Sequence, residues 1–216
     1  MNWKEWKPWY EGIVAELGID PETDMASAKL LAGLLPNSPE ALKSLESILR
    51  GKTAVILGPA PFQMSGLPGG VIIVAGSAMD ELARLEIQPE IIVTDLDGDV
   101  ALQVEASLRG AVSVIHAHGD NMDAIRRWVP EFRQPIIGTT QVEPLEGIYN
   151  FGGFTDGDRA VFMSMHFGAS RIILKGFDFD NPTGKPFFDI ARKKKKLGIA
   201  RRLIEHASAN YDIDVE

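Results

Sequence analysis

Three aspartates at alternate positions, Asp95, Asp97 and Asp99, close the segment IIVTDLDGD, directly behind a run of apolar β-formers that starts at Ile91. In an extended chain, residues two apart share a face. A buried strand would therefore deliver two or three carboxylates to one spot at its carboxyl end. Two carboxylates about 4 Å apart repel by roughly 4 kcal/mol at an effective dielectric near 20, which a cation or a network of donors must offset. Hard oxygen ligands so arranged suit Mg²⁺, and Mg²⁺ commonly accompanies a substrate phosphate. The competing reading is a solvated acidic turn bent at Gly98, and it is strongest for Asp97 taken alone.

Further polar segments carry groups of the same chemistry. Gly58-Pro59-Ala60-Pro61 stands where a phosphate-binding turn would lie, although it is neither a GxGxxG nor a Walker A loop. His116 and His118 alternate and are followed by Asp120 and Asn121. The spacing resembles the opening of a metallo-β-lactamase zinc motif, but Asn121 stands in place of the next histidine. With His166 and His206 the only other histidines, a dinuclear zinc site is short of ligands. His118 is expected to donate to a phosphate or a metal-bound oxygen, and His116 to be a hydrogen-bonded core residue. Thr155-Asp156-Gly157-Asp158-Arg159 ends a glycine-rich loop and opens a helix. Thr155 or Asp156 reads as its N-cap, Asp156 and Asp158 as further metal ligands, and Arg159 as a phosphate clamp. Lys175, Asp178, Asp180 and Lys185 line the next polar stretch, and Arg192–Lys196 reads either as a solvated helix face or as a run from which one or two lysines reach a triphosphate.

The elements that must position these groups alternate from Lys52 onward. Strands are expected at Thr53–Gly58, Val71–Ala75, Ile91–Asp95, Val112–His118, Pro135–Thr140 and Arg171–Phe177. Between them lie helices at Ser77–Glu86, Asp99–Arg109, Asn121–Val129 and Asp156–Phe167, with a long basic helix over Asp189–Asn210. Mostly apolar strands alternating with helices indicate an α/β fold of Rossmann-like type, with a mainly parallel sheet covered on both faces. In such a sheet ligands bind beyond the carboxyl ends of the strands, where all the polar segments above fall. Residues 1–50 hold no strand-like run. Trp3, Trp6, Trp9 and Tyr10 recur at helical spacing and read as core packing, and Leu30–Leu35 suggests a helix stopped by Pro36. Ser38 and Pro39 look like the cap and first residue of a third. The division is a helical N-terminal extension, 1–50, and a catalytic domain, 51–216.

Composition narrows the function. The 216 residues are 45% hydrophobic, enough for one sizeable core. A net charge of -8 argues against a general nucleic-acid or membrane-surface binder. With no cysteine, disulfides and thiolate chemistry are excluded. No run is long enough for a membrane span, and the N-terminus lacks the apolar region of a secretory signal. A cytoplasmic enzyme is expected, compatible with a homodimer. The candidate catalytic residues are Asp95, Asp97 and Asp120; the metal ligands are Asp95, Asp97, Asp120 and Asp156. Gly58, Pro59, His118, Asn121, Arg159, Lys175 and Asp178 are expected around the nucleotide.

Taken together, QPEIIVTDLDGD, HAHGDN, GGFTDGDRA, LKGFDFD and the KKKKL helix resemble the archaeal 6-hydroxymethyl-7,8-dihydropterin pyrophosphokinases, the MptE-like family, related in fold to thiamin pyrophosphokinases. The resemblance covers about Gly51 to the C-terminus. It implies Mg²⁺-dependent transfer of a diphosphate from ATP to the pterin hydroxymethyl group, with release of AMP. One departure is Ala75-Gly76-Ser77-Ala78, where such proteins commonly carry an Ala-Asp-Gly-Ala-like turn. Thiamine is the alternative acceptor, and a nucleotide sensor without turnover is a further reading. DLDGD and GDNMD also resemble motifs of haloacid-dehalogenase-like phosphatases. That mechanism needs a lysine between the two, and none occurs from Thr53 to Leu174.

Overall fold

Runs rich in Val and Ile form a single parallel sheet: β1 (Thr53–Leu57), β2 (Val71–Ala75), β3 (Ile91–Thr94), β4 (Val112–Ala117), β5 (Ile136–Thr140), β6 (Ile148–Tyr149), β7 (Arg171–Lys175) and β8 (Ile213–Val215). The computed structural model describes residues 1–36, 39–63, 69–181 and 189–216, so the expected cap Ser38 and Lys185 lie outside the described residues. The strand order is β6-β5-β4-β3-β2-β1-β7-β8, and every ladder among the described residues is parallel. Parallel strands need crossovers, here α4 (Met79–Arg84), α5 (Val100–Leu108), α6 (Met122–Trp128), α7 (Asp156–His166) and α8 (Ile190–Ser208).

Strand alternation sorts the core onto the two faces. Ala54, Ile56, Ile73, Ile91, Val93, Val112 and Val114 pack in one cluster with α7 and α8 residues such as Phe162 and Leu203. Val55, Leu57, Val74 and Ile92 pack on the opposite face with Leu82 and Ala106. The first cluster also takes in α1 (Trp3–Leu17), α2 (Pro21–Leu34) and α3 (Pro39–Leu49) through Trp6, Tyr10, Ile13, Ala28 and Leu45. The aromatic stripe is thus core packing: Trp6 is fully buried and its indole Nε1 donates to the Gln141 carbonyl at 2.8 Å.

Several boundaries differ from those the sequence suggests. β3 ends at Thr94, and the chain beyond it turns, with Leu96 at φ 67° and Gly98 at φ 72°. The pleat is therefore not what brings Asp95 and Asp97 together, and Asp99 leaves them to cap α5, accepting from Leu102 N at 3.2 Å. The left-handed Leu96 is held by its buried side chain and by its N–H, which donates to Thr94 Oγ1 at 2.8 Å. The expected helix from Ser77 begins as a 3-10 turn, Gly76–Ala78, and ends at Arg84. Gly76 is required there, because a Cβ would stand 2.5 Å from Thr94 Oγ1. The edge strands β6 and β8, of two and three residues, are additions to the expected six.

The chain steps outward from β1 to β6 and then returns to place β7 on the other side of β1. A crevice opens at such a reversal, at the carboxyl ends of the strands. Just past it Gly58 N donates to the Lys175 carbonyl at 2.8 Å and Ala60 N to the Gly176 carbonyl at 2.9 Å.

Candidate active site

Asp95, Asp97 and Asp156 converge at the carboxyl edge, each offering a carboxylate oxygen within 4.8 Å of the others. Asp95 and Asp97 come from the turn after β3. Asp156 is the first residue of α7, behind Thr155, whose hydroxyl and N–H are tied to the Asp158 carboxylate in a capping box. Gly153 lets this loop lie across the helix start, since a Cβ there would stand 2.6 Å from Arg159 Cα. Arg159, 8% exposed, bridges Asp156 through Nη1 at 3.0 Å and the Phe154 carbonyl through Nη2.

The buried carboxylates differ in their electrostatics. Burial and the charge of Asp95 push the Asp156 carboxyl well above the usual carboxylate range, against the pull of Arg159. Burial also pushes Asp95 up, but the hydrogen bond of His118 and the charges of Arg159 and Lys196 outweigh it and hold Asp95 at about 2. His118 Nδ1 accepts from Asp120 N at 3.3 Å, so the proton sits on Nε2, which lies 3.4 Å from Asp95 Oδ2. Asp95 Oδ1 is buried and has no hydrogen-bond partner. An orphaned carboxylate oxygen within a set of hard oxygen donors fits a divalent cation.

Asp120, expected as a ligand, is not in the converging group; it is exposed on the turn after β4. Among the described residues that group contains no histidine. His116 is buried and its Nδ1 meets Thr139 Oγ1 at 3.1 Å. Asn121 spends its amide on protein: Nδ2 donates to the Asp95 and His116 carbonyls at 2.8 and 2.7 Å, and Oδ1 accepts from His118 N at 3.0 Å. It therefore clasps the turn that carries Asp95. Gly58 is packing rather than cradle, because a Cβ would meet the Gly176 carbonyl at 2.5 Å and the Phe177 ring at 3.0 Å. Lys175 is ion-paired with Glu216 and lines neither cavity. Asp178 accepts from Asp180 N and Asn181 N, both at 3.0 Å, to close its own loop.

Two cavities flank Asp95. One, with about 930 Å³ of space open to solvent, is bounded by Pro59, Ala60, Phe177, Phe179 and the three converging aspartates. The other, of about 670 Å³, is polar and bounded by His118, Asp120, Gln141, Arg159 and Arg192, with Asp24 from α2. Asp24 escapes sequence reasoning, as an acidic residue in a helix's first turn is ordinarily a dipole partner. Here it is 1% exposed and accepts from Tyr10 Oη at 2.7 Å, Gln141 Nε2 at 2.6 Å and Gly119 N at 2.7 Å. The aromatic pair Phe177 and Phe179 has no sequence signal beyond the FDF triplet.

The comparisons with known proteins agree on one kinship. A family model described as 6-hydroxymethylpterin diphosphokinase MptE-like matches residues 33–184. A 6-hydroxymethyl-7,8-dihydropterin pyrophosphokinase of Pyrococcus furiosus is 42% identical, over 97% of this chain and 96% of the relative. Proteins of the same name from Methanothermobacter thermautotrophicus and Methanocaldococcus jannaschii are 37% and 34% identical, covering at least 99% of both chains in each case. With the match running through the aspartate turn and the α7 loop, this chain belongs to the MptE-like 6-hydroxymethylpterin diphosphokinase family.

Proposed function

We propose that this protein transfers a diphosphate from ATP to the hydroxymethyl group of 6-hydroxymethyl-7,8-dihydropterin, with Mg²⁺ held by Asp95, Asp97 and Asp156. The observation that carries the reading is the convergence of three carboxylates, with an orphaned Asp95 oxygen, at the mouth of a cavity on the carboxyl edge. Mg²⁺ bound there would offset the mutual repulsion of the carboxylates and share the charge of phosphate oxygens.

The chain's own groups supply positioning and charge. The acceptor hydroxyl oxygen attacks the β-phosphorus of ATP; the bond from that phosphorus to the oxygen bridging the α-phosphorus breaks, AMP departs with that oxygen, and the hydroxyl proton passes to water. Such transfers depend on alignment and charge neutralisation more than on covalent help. Arg159, fixed by Asp156 and the Phe154 carbonyl, holds positive charge against the site. His118 keeps Asp95 ionised and oriented. Pro59 borders the first cavity and Asp120 the second. The absence of cysteine and the acidic balance suit a cytoplasmic enzyme of small-molecule substrates, and no helix among the described residues is long and apolar enough to cross a membrane.

The test is incubation with ATP, Mg²⁺ and reduced hydroxymethylpterin. AMP and a pterin diphosphate are expected in equal amounts. ADP or free phosphate as the only product refutes the reading, and a parallel incubation with thiamine decides the acceptor.

A further inference from the structure

We propose that Lys196 is a catalytic residue that contacts the diphosphate during its transfer, at the meeting point of a donor cavity and an acceptor cavity. The inference rests on the diphosphokinase reading above. Only Asp95, Phe154 and Lys196, among the described residues, border both cavities. A direct transfer between two substrates requires both to reach one phosphorus atom. If each cavity holds one substrate, that atom must lie where the cavities join. Of the three shared residues Lys196 is the one cation, half-buried, with its Nζ 5.9 Å from the centroid of the Phe154 ring.

The phase of α8 distinguishes it from its neighbours. Arg192 borders the second cavity, Lys193 the first, and Lys196 stands one turn further along the same helix face. Lys194 and Lys195 are exposed, and Lys195 reaches the Glu16 carbonyl at 3.4 Å. Chemistry also decides which cavity takes which substrate. All three converging aspartates border the first cavity, and its Phe177 and Phe179 rings, with centroids 6.1 Å apart, suit a purine. The second holds only Asp95 of the three and offers hydrogen-bonding groups, among them Asp20, His118 and Asp120, for a heterocycle edged with N–H and C=O groups. ATP therefore enters the first cavity and the pterin alcohol the second. As the oxygen–phosphorus bond to the acceptor forms and the bond to the leaving AMP breaks, Lys196 balances charge on the group in transit.

The experiment compares wild type with Lys196→Met, Lys196→Arg, Lys193→Gln and Arg192→Gln in steady-state AMP formation, read well below every variant's melting temperature. Lys196→Met should lower kcat about 10²–10³-fold, with both KM values within about threefold, and Lys196→Arg should recover part of it. Lys193→Gln should raise KM for ATP alone, and Arg192→Gln KM for the pterin alone. A Lys196→Met enzyme with kcat within threefold of wild type, or Lys193→Gln and Arg192→Gln variants that both move the same KM, overturns the proposal. Wild type that forms no AMP refutes the diphosphokinase reading as well. An active wild type beside a full-rate Lys196→Met refutes the role of Lys196 alone.

Discussion

Asp24 offers the clearest numerical test of how the N-terminal helices serve the site. Its buried carboxylate satisfies three donors: Tyr10 Oη, Gln141 Nε2 and Gly119 N. Asp24→Ala leaves all three donors without their acceptor at once. A buried donor left unsatisfied costs about 1–3 kcal/mol. Gly119 is half-exposed and can turn to water, whereas Tyr10 and Gln141 are 5% and 3% exposed. Counting those two in full gives a loss of about 2–6 kcal/mol, to which Gly119 adds little. For a domain of this size each kcal/mol moves the melting temperature by about 2–4 °C, so a drop of roughly 10 °C is expected. Asp24→Asn keeps an acceptor for Gly119 N and should lose about half as much or less. A second readout is independent of stability. Burial first, then the hydrogen bond and charge of Asp24, raise the Tyr10 phenol above its ordinary range. In Asp24→Asn the ultraviolet titration of that phenol should move back down. Differential scanning calorimetry and the phenol titration together decide the matter. An Asp24→Ala protein melting within 2 °C of wild type, or an unmoved Tyr10 titration, would refute the bracket.

Asp97 should behave in the opposite way. Its oxygen lies within 4.8 Å of those of Asp95 and Asp156, a repulsion of about 1–3 kcal/mol between the dielectric of water and one near 20, so Asp97→Asn should melt no lower than wild type in EDTA. Its AMP formation should fall about 10²–10³-fold, and a destabilised but active variant would end the metal-site reading. His116 is held neutral, its pKa lowered first by burial and then by Arg159 and His118. The unfolded chain takes up a proton near the ordinary histidine value of about 6.5 while the folded one does not, so stability is lost as pH falls through that value. Between pH 7.5 and 5.5 the loss is about 1.4 kcal/mol, and denaturant midpoints should show a His116→Gln variant flatter by that amount; equal slopes would contradict it. Gly58→Ala forces its Cβ against the Gly176 carbonyl and the Phe177 ring. Overpacking of this kind costs about 1–3 kcal/mol, and KM for ATP should rise as Phe177 shifts; an unchanged KM would show that this ring does not hold the nucleotide.

The sheet was legible because its central strands are continuous apolar runs, for which burial on both faces leaves no other explanation. β6 and β8 were not, since two or three residues carry no periodicity. The meeting of Asp95 with Asp97 was legible in outcome but not in cause. A left-handed Leu96 contradicts backbone preference, and only its burial in the core makes it tenable. Asp156 was found because a capping sequence and a glycine pair mark the start of α7, whereas Asp120 sits in a sequence just as suggestive and points elsewhere. For Asn121 the residue type implied a ligand contact, yet the neighbouring carbonyls claim its amide. The run Arg192–Lys196 announces a basic helix, but which lysine faces inward depends on the rotation of α8 about its axis, which is set by Ile199, Leu203 and Ile204 in the core.

The bond from Trp6 to the Gln141 carbonyl spans 135 residues. Measured in time on the ribosome, at about 5–20 residues per second, that separation amounts to roughly 7–27 s. During that interval α1 and α2 exist without the strand that completes their burial, and Trp6, Tyr10, Ile13 and Leu31 have no permanent cover. α1 and α2 are thus finished only once β5 has been made. The wall of the second cavity that holds Asp24 closes only after β5 has emerged, because Gln141, which donates to Asp24, follows that strand.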